Sequence, residues 1–299
     1  MPAFDKPPAE PRGDLSDSLS GLVLVSTPIG NLGDLTIRAR QALEHADLIL
    51  CEDTRHTGTL LSALGIRART EALHDHNEDA RIPAILARLR QGQTISLVSD
   101  AGTPLVSDPG YRLVRAAIAE GLHVTAVPGP NAAMMALTLS GLPPLPFLFL
   151  GFPPQKKAAR RAAFSALRAA ERAGLRATLI WHEAPHRLCE TLLDLREIFG
   201  DRSAAVAREL TKRFETVERG AVSELEARFA AHAPRGEITL LLGPADDEDV
   251  EDLDGRLRRA LERESVKDAA ALVAQATGLP RKVVYGRALE LSRKDEREE

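Results

Sequence analysis

A two-domain α/β fold is predicted by three features of this sequence. Short apolar runs alternate with amphipathic stretches, a proline-rich break lies near the middle, and glycine- and proline-rich turns follow several of the runs. The runs LVLVS (22–26), LILC (48–51), TISLVS (94–99) and HVTAV (123–127) are short and mainly apolar and read as strands, LVLVS as a buried one. Residues 36–46, 77–91, 111–120 and a segment from Asn131 read as helices between and after them. This alternation gives a mainly parallel sheet with helices on both faces.

Three prolines in the six residues GLPPLP (141–146) close the first domain, placed at 21–142. The second, 143–244, carries strands FLFLG (147–151), ATLIWH (177–182), AAVARE (204–209), FETVERG (214–220) and EITLLLG (237–243). Residues 245–255 hold seven carboxylates in eleven positions and read as a solvated acidic linker. Residues 256–294 read as a small helical module, and 1–20, proline-rich and mixed in charge, as a disordered tail.

Composition narrows the function classes. Apolar residues make up 44% and charged residues 27% of the 299, the profile of a globular protein. The net charge of −4 means that any nucleic-acid contact must come from local patches. No stretch approaches the roughly 20 apolar residues of a membrane span. Two distant cysteines, Cys51 and Cys189, exclude a disulfide framework and fit a reducing, cytoplasmic setting.

Three motifs sit where strands end. TPIGNLGDLT (27–36) has Gly30 and Gly33 for a tight turn, but meets neither nucleotide-binding fingerprint; alone it is a strand-to-helix turn with Asp34 as a cap. SDAGTPLVSDPG (99–110) spends two aspartates, two glycines and two prolines on one connection. Its small residues suit a flat ligand against backbone, and Asp100 could face a positive centre. Turn chemistry with Asp108 as a helix cap is the plainer alternative. VPGPNAAMMA (127–136) again opens a helix, with Asn131 as a cap or ligand contact.

The pairs His74/His76 and His182/His186 have no nearby cysteines, and Pro185 interrupts the second, so no metal site is expected. Residues 155–176 contain seven basic side chains against Glu171. On a helix Lys157, Arg161, Arg168 and Arg172 form one stripe, expected to contact RNA phosphates. Residues 256–294 hold ten basic and four acidic side chains. Within them 265–291 reads helix, Gly-Leu-Pro turn, helix, like a helix-turn-helix, with Arg281 and Lys282 as RNA contacts; a capping or dimer-stabilising hairpin is the alternative.

These motifs, with CEDTRHT (51–57), HNE (76–78), GFPPQK (151–156), EAPHRL (183–188) and RELTKRFETVERG (208–220), resemble the tetrapyrrole methylase superfamily. Within it they are similar to the ribosomal RNA small subunit methyltransferase I family, over about residues 21–290. The resemblance implies a class III methyltransferase fold of two α/β domains, S-adenosylmethionine in the cleft between them, and a homodimer. It also implies 2'-O-methylation of a cytidine, cytidine 1402, in the decoding region of 16S rRNA. Carried over, the cofactor residues are Ile29, Asp100, Thr103, Gly129, Asn131, Ala132 and the vicinity of Glu183. One departure is that Trp181 and His182 stand where the family shows Phe-Tyr, so a tyrosine hydroxyl is missing at 182.

Methyl transfer to a hydroxyl needs orientation and either a base or a cation that stabilises the alkoxide. Candidate bases are Asp53, Asp100, Glu183 and Glu209; candidate cations are Arg55, Arg187 and Lys212. A thiolate mechanism on a pyrimidine has only Cys51 to draw on, which reads as a small core residue. The rival functions are a small-molecule methylase of the same fold, acting on a tetrapyrrole, and a non-catalytic RNA-binding assembly factor.

Overall fold

The computed structural model describes residues 19–245, 253–277 and 279–298; nearly all of the expected tail and most of the acidic linker lie outside them. The chain forms two compact units. The first is Met1–Met135 with Glu209–Glu215; the second is Ala136–Arg208 with Thr216–Glu299. The division therefore falls earlier than the proline break at 142/143. The physical reason is that the residues just before the proline break are bonded to the second sheet: Arg219 Nε donates to Leu139 O at 3.0 Å.

The first unit contains β1 (Leu22–Val25), α1 (Ile37–Glu44), β2 (Leu48–Cys51), α2 (Thr54–Leu64), β3 (Thr70–Ala72), α3 (Glu78–Arg90), β4 (Ile95–Val98), α4 (Tyr111–Ala119) and β5 (Val124–Val127). Helix α5 (Ala132–Ser140) begins in it. The five strands are all parallel, in the order β3-β2-β4-β1-β5. Alternate residues of the strands feed two cores. Val23, Val25, Ile49 and Cys51 pack with Ala39, Leu43 and Leu61 of α1 and α2; Leu22, Leu48, Leu50 and Leu97 pack with Leu86, Leu89 and Leu113 of α3 and α4. Burial on both faces is why β1 and β2 read as unbroken apolar runs.

Helix α1 is capped by Thr36, whose hydroxyl accepts from Ala39 N, and not by Asp34, which falls inside a 3-10 turn that Asn31 caps. Helix α2 ends at Gly65 with φ 70°, the left-handed stop that glycine supplies. Glu78, of the HNE segment, is buried and accepts from Leu113 N at 2.8 Å, tying α3 to the first turn of α4.

The second unit holds β6 (Phe147–Phe149), α6 (Lys157–Arg172), β7 (Thr178–Glu183), α7 (Leu188–Phe199), β8 (Ser203–Arg208), β9 (Thr216–Ala221), α8 (Val222–Ala231) and β10 (Ile238–Leu242). Its sheet runs β6-β7-β10-β8-β9, parallel only between β6 and β7. Phe164 packs against Trp181 at 5.4 Å and Phe199 at 5.9 Å in its core. The helical module comprises α9 (Leu253–Leu261), α10 (Val266–Thr277) and α11 (Arg281–Glu298), around Leu257, Val273, Val284 and Leu291. Ser265 starts α10, exchanging hydrogen bonds with Asp268 at its amide (3.2 Å) and carboxylate (2.6 Å). Among the described residues no helix is long and apolar enough to cross a membrane.

Candidate active site

The first sheet has a topological switch point. From β1 the chain moves toward β2, past β4; from β4 it moves the other way, past β1 to β5. The two connections leave neighbouring strands for opposite faces of the sheet, α1 on one and α4 on the other, and in open parallel sheets ligands bind outside the carboxyl ends of the strands at such a point. The three sequence motifs converge there.

They are bonded to one another. Thr27 N donates to Gly102 O at 2.9 Å and Gly102 N to Thr27 O at 3.1 Å, and the Thr27 hydroxyl donates to Ser99 O at 3.0 Å. Thr103 Oγ1 donates to Pro130 O at 3.2 Å, and Asn131 Nδ2 donates to Thr103 Oγ1 at 3.3 Å. Asn131 also caps α5, accepting from Met134 N at 3.1 Å. The glycines allow this closeness. A Cβ on Gly129 would stand 2.7 Å from Ser26 Cβ, and one on Gly102, at φ 89°, would stand 3.3 Å from Ile29 Cγ2. Ile29, Thr103, Gly129 and Asn131 are thus linked through direct or shared neighbours. Leu105 and Ser107 in the same loop hold φ near 70°, strain of the kind that functional loops retain.

Carboxylates gather beside this loop. Asp100 Oδ1 accepts from Asp53 N at 3.2 Å. Asp108 does not cap α4, whose N-cap position is Gly110 at φ 118°, where a Cβ would strike Leu97. Instead Asp108 accepts from Ser99 Oγ at 2.8 Å. Burial pushes its carboxyl up to about 6; the Ser99 hydrogen bond opposes this, and the Glu52 and Asp100 charges add to it. Glu52 is raised too, by burial and then by Asp100. Thr27 and Ser99 were quoted within motifs but not singled out by the sequence. Their signal is a hydroxyl residue within two positions of the end of a buried parallel strand.

Asp53 has another task. It caps α2 through Arg55 N at 2.8 Å and pairs with the Arg55 guanidinium at 2.7 Å. The Arg55 hydrogen bonds hold its carboxyl well below the usual range.

The loop Glu209–Glu215 belongs to this unit although it joins β8 and β9. The methylenes of Lys212 cross Gly30, where an added Cβ would lie 2.3 Å from Lys212 Cγ, and Lys212 Nζ sits 2.9 Å from Glu209 Oε1. Glu209 and Thr211 hold positive φ of 52° and 65°. A cation and its carboxylate therefore stand over the β1 turn.

In the second unit Glu183 is buried and saturated. Its Oε1 accepts from Arg187 Nη2 at 2.5 Å and Ala184 N at 2.7 Å, and its Oε2 from Thr191 Oγ1 at 2.5 Å. Arg187 also reaches Pro153 O at 3.4 Å. Both have structural partners. The basic stripe of α6 likewise meets counter-charges. Arg161 pairs with Asp194 at 2.9 Å and with Glu197, and Arg168 pairs with Glu171 at 3.2 Å. The stripe reads as single-sign in sequence because two of its acids lie on α7. Lys157, Arg172, Arg281 and Lys282 are exposed.

Residues 21–226 match the tetrapyrrole (corrin/porphyrin) methylase family, and residues 247–292 match the RsmI C-terminal HTH domain. Ribosomal RNA small subunit methyltransferase I of Mesorhizobium japonicum is 46% identical over 274 residues, 90% of this chain and 92% of that protein. The chain belongs to the ribosomal RNA small subunit methyltransferase I family. The Xylella fastidiosa (strain Temecula1) member is 48% identical over 271 residues, covering 89% of this chain and 97% of its own. The crystal structure of the methyltransferase CobJ shares the fold, with a TM-score of 0.56 at 18% identity over 75% of this chain and 94% of that one. Family membership makes this protein a methyltransferase.

Proposed function

We propose that this protein is a cytoplasmic homodimer that transfers a methyl group from S-adenosylmethionine to the ribose 2'-hydroxyl of cytidine 1402 in 16S rRNA, within the small ribosomal subunit. The observation that carries the proposal is that relatives 46% and 48% identical over about nine-tenths of their length bear small-subunit rRNA methylation in their name.

The first unit suits the cofactor. Gly102 and Gly129 leave backbone where a side chain would intrude, beside the polar Asp100, Thr103 and Asn131. Those residues, with Ile29 and Ala132, would hold it. When bound, S-adenosylmethionine supplies an activated methyl on a sulfonium. The chain's own task is then to orient a ribose hydroxyl and stabilise the charge that develops on its oxygen. Asp53 and Glu183 are engaged by structural partners and Glu209 is paired with Lys212, so Asp100 is the carboxylate suited to accept a proton. Lys212 is the cation suited to the alkoxide. Exposed Lys157, Arg172, Arg281 and Lys282 offer phosphate contacts, whereas Arg161 and Arg168 bring internal partners with them.

Small subunits from a strain lacking this gene should accept label from the cofactor. Naked rRNA and a tetrapyrrole should be run beside them. Label on the tetrapyrrole alone would favour the small-molecule rival; stoichiometric cofactor binding without turnover would favour an assembly factor. Calorimetry on Asp100→Ala and Ala132→Trp should show loss of cofactor binding with the fold intact, and wild-type affinity in both would sink this cofactor site. Light scattering at micromolar concentration should give twice the 32.4 kDa of one chain, and the mass of one chain would overturn the dimer.

A further inference from the structure

We infer that Phe152 is a stacking platform for an unpaired nucleobase of the RNA substrate. The inference rests on the rRNA reading above and adds to it a residue that grips the base. Three observations carry it.

The first is a chain of inclined ring contacts. Phe149 lies against His182 at 4.9 Å between centroids, and His182 against Phe152 at 5.6 Å, inclined at 55°. Phe149 and His182 are half-buried, while Phe152 remains 56% exposed. Burial holds the His182 pKa below the usual imidazole range, with the Glu237 charge opposing. Phe214, the other strongly exposed phenylalanine among the described residues, instead has its own neighbour Arg213 over its ring at 5.5 Å.

The second is a fixed backbone. Gly151, at φ 65°, makes the turn that presents Phe152, and its carbonyl accepts from His182 N at 3.0 Å. Pro153 is buried and its carbonyl accepts from Arg187. The backbone on both sides of the ring is therefore fixed before any ligand arrives, which lowers the ordering cost of binding.

The third is the surroundings. Beyond Pro153 and Pro154 come Gln155, Lys156 and Lys157, all exposed. An exposed aromatic ring followed along the chain by an exposed amide and two exposed lysines matches the chemistry of single-stranded RNA: π-stacking for the base, a donor and acceptor for its edge, and cations for the phosphates. Stacking also explains how the site reads an unpaired nucleotide, because a base within a duplex has no free face to offer.

The test is a double-mutant cycle on the full-length protein, with a short single-stranded RNA carrying either the target cytidine or an abasic ribose at that nucleotide. Phe152→Ala should weaken binding to the cytidine RNA about 5- to 150-fold. It should leave binding to the abasic RNA nearly unchanged. Phe152→Tyr should keep the affinity, and Phe152→Leu, which is apolar but has no π-face, should lose most of it. S-adenosylmethionine binding serves as the check that the fold persists. Equal loss on both RNAs, no loss on either, or rescue by leucine would overturn the platform. Should these variants behave as wild type while small subunits are still methylated, the platform fails and the rRNA reading stands; if the wild type methylates no rRNA, that reading fails first.

Discussion

Lys212→Ala is expected to lower methyl transfer about a hundred- to a thousandfold while cofactor affinity stays at the wild-type value. The size follows from removing one preorganised group that stabilises a developing oxyanion. Lys212 is preorganised by two means: its methylenes lie across Gly30, and its ammonium is held 2.9 Å from Glu209 Oε1. Gly30→Ala provides an independent way to move the same ammonium. The new methyl would collide with Lys212 Cγ, and at φ 151° the alanine backbone is itself strained. It should reproduce a large part of the loss without touching the charge. Single-turnover rates on small subunits measure both. Wild-type turnover in Lys212→Ala would remove the lysine from the mechanism and leave Asp100 with the main role.

Asp194→Ala is expected to destabilise the second unit by about 3–5 kcal/mol, the range found when one member of a buried ion pair is removed. Arg160 is completely buried, donates to Asp194 Oδ2 at 2.7 Å and reaches Glu190 only at 3.3 Å. Asp194 also neutralises Arg161 at 2.9 Å. Without Asp194 the Arg160 guanidinium stays buried with little compensation. The double change Arg160→Met with Asp194→Leu should recover most of the loss, since an apolar pair of similar volume removes both desolvation penalties. Urea unfolding monitored by Trp181, buried in the same unit, reports the difference. A loss under about 1 kcal/mol, the range of surface pairs, would mean that water reaches Arg160.

The sequence makes the first sheet legible because each central parallel strand is buried on both faces and so stands out as an apolar run. The turns at its carboxyl edge are legible for a related reason: Gly102 and Gly129 are required by contacts with Ile29 and Ser26, so small residues cluster where strands end. Elements without such a signature were missed. Helix α2 carries Gly58 and three threonines after its cap, and β3 is a three-residue edge strand with the polar Glu71. Long-range pairing hides from local patterns in the same way. The acids that neutralise Arg161 lie 33 and 36 positions away, so its stretch looked uniformly basic. Asp108 resembled a cap because it stands just before a helix, yet its carboxyl turns back to Ser99. The return of Glu209–Glu215 to the first unit is another tertiary fact with no local mark. The resemblance named its residues, but only the fold shows Lys212 over Gly30.

The central claim is that the methyl acceptor is a ribose oxygen, and alkaline digestion of the labelled product tests it most directly. Base cleaves RNA through attack of a free 2'-hydroxyl on the adjacent phosphate, so a methylated ribose leaves one bond intact. Small-subunit RNA methylated by this enzyme should release its label in an alkali-resistant dinucleotide. Label recovered in a mononucleotide with a methylated base would contradict the account.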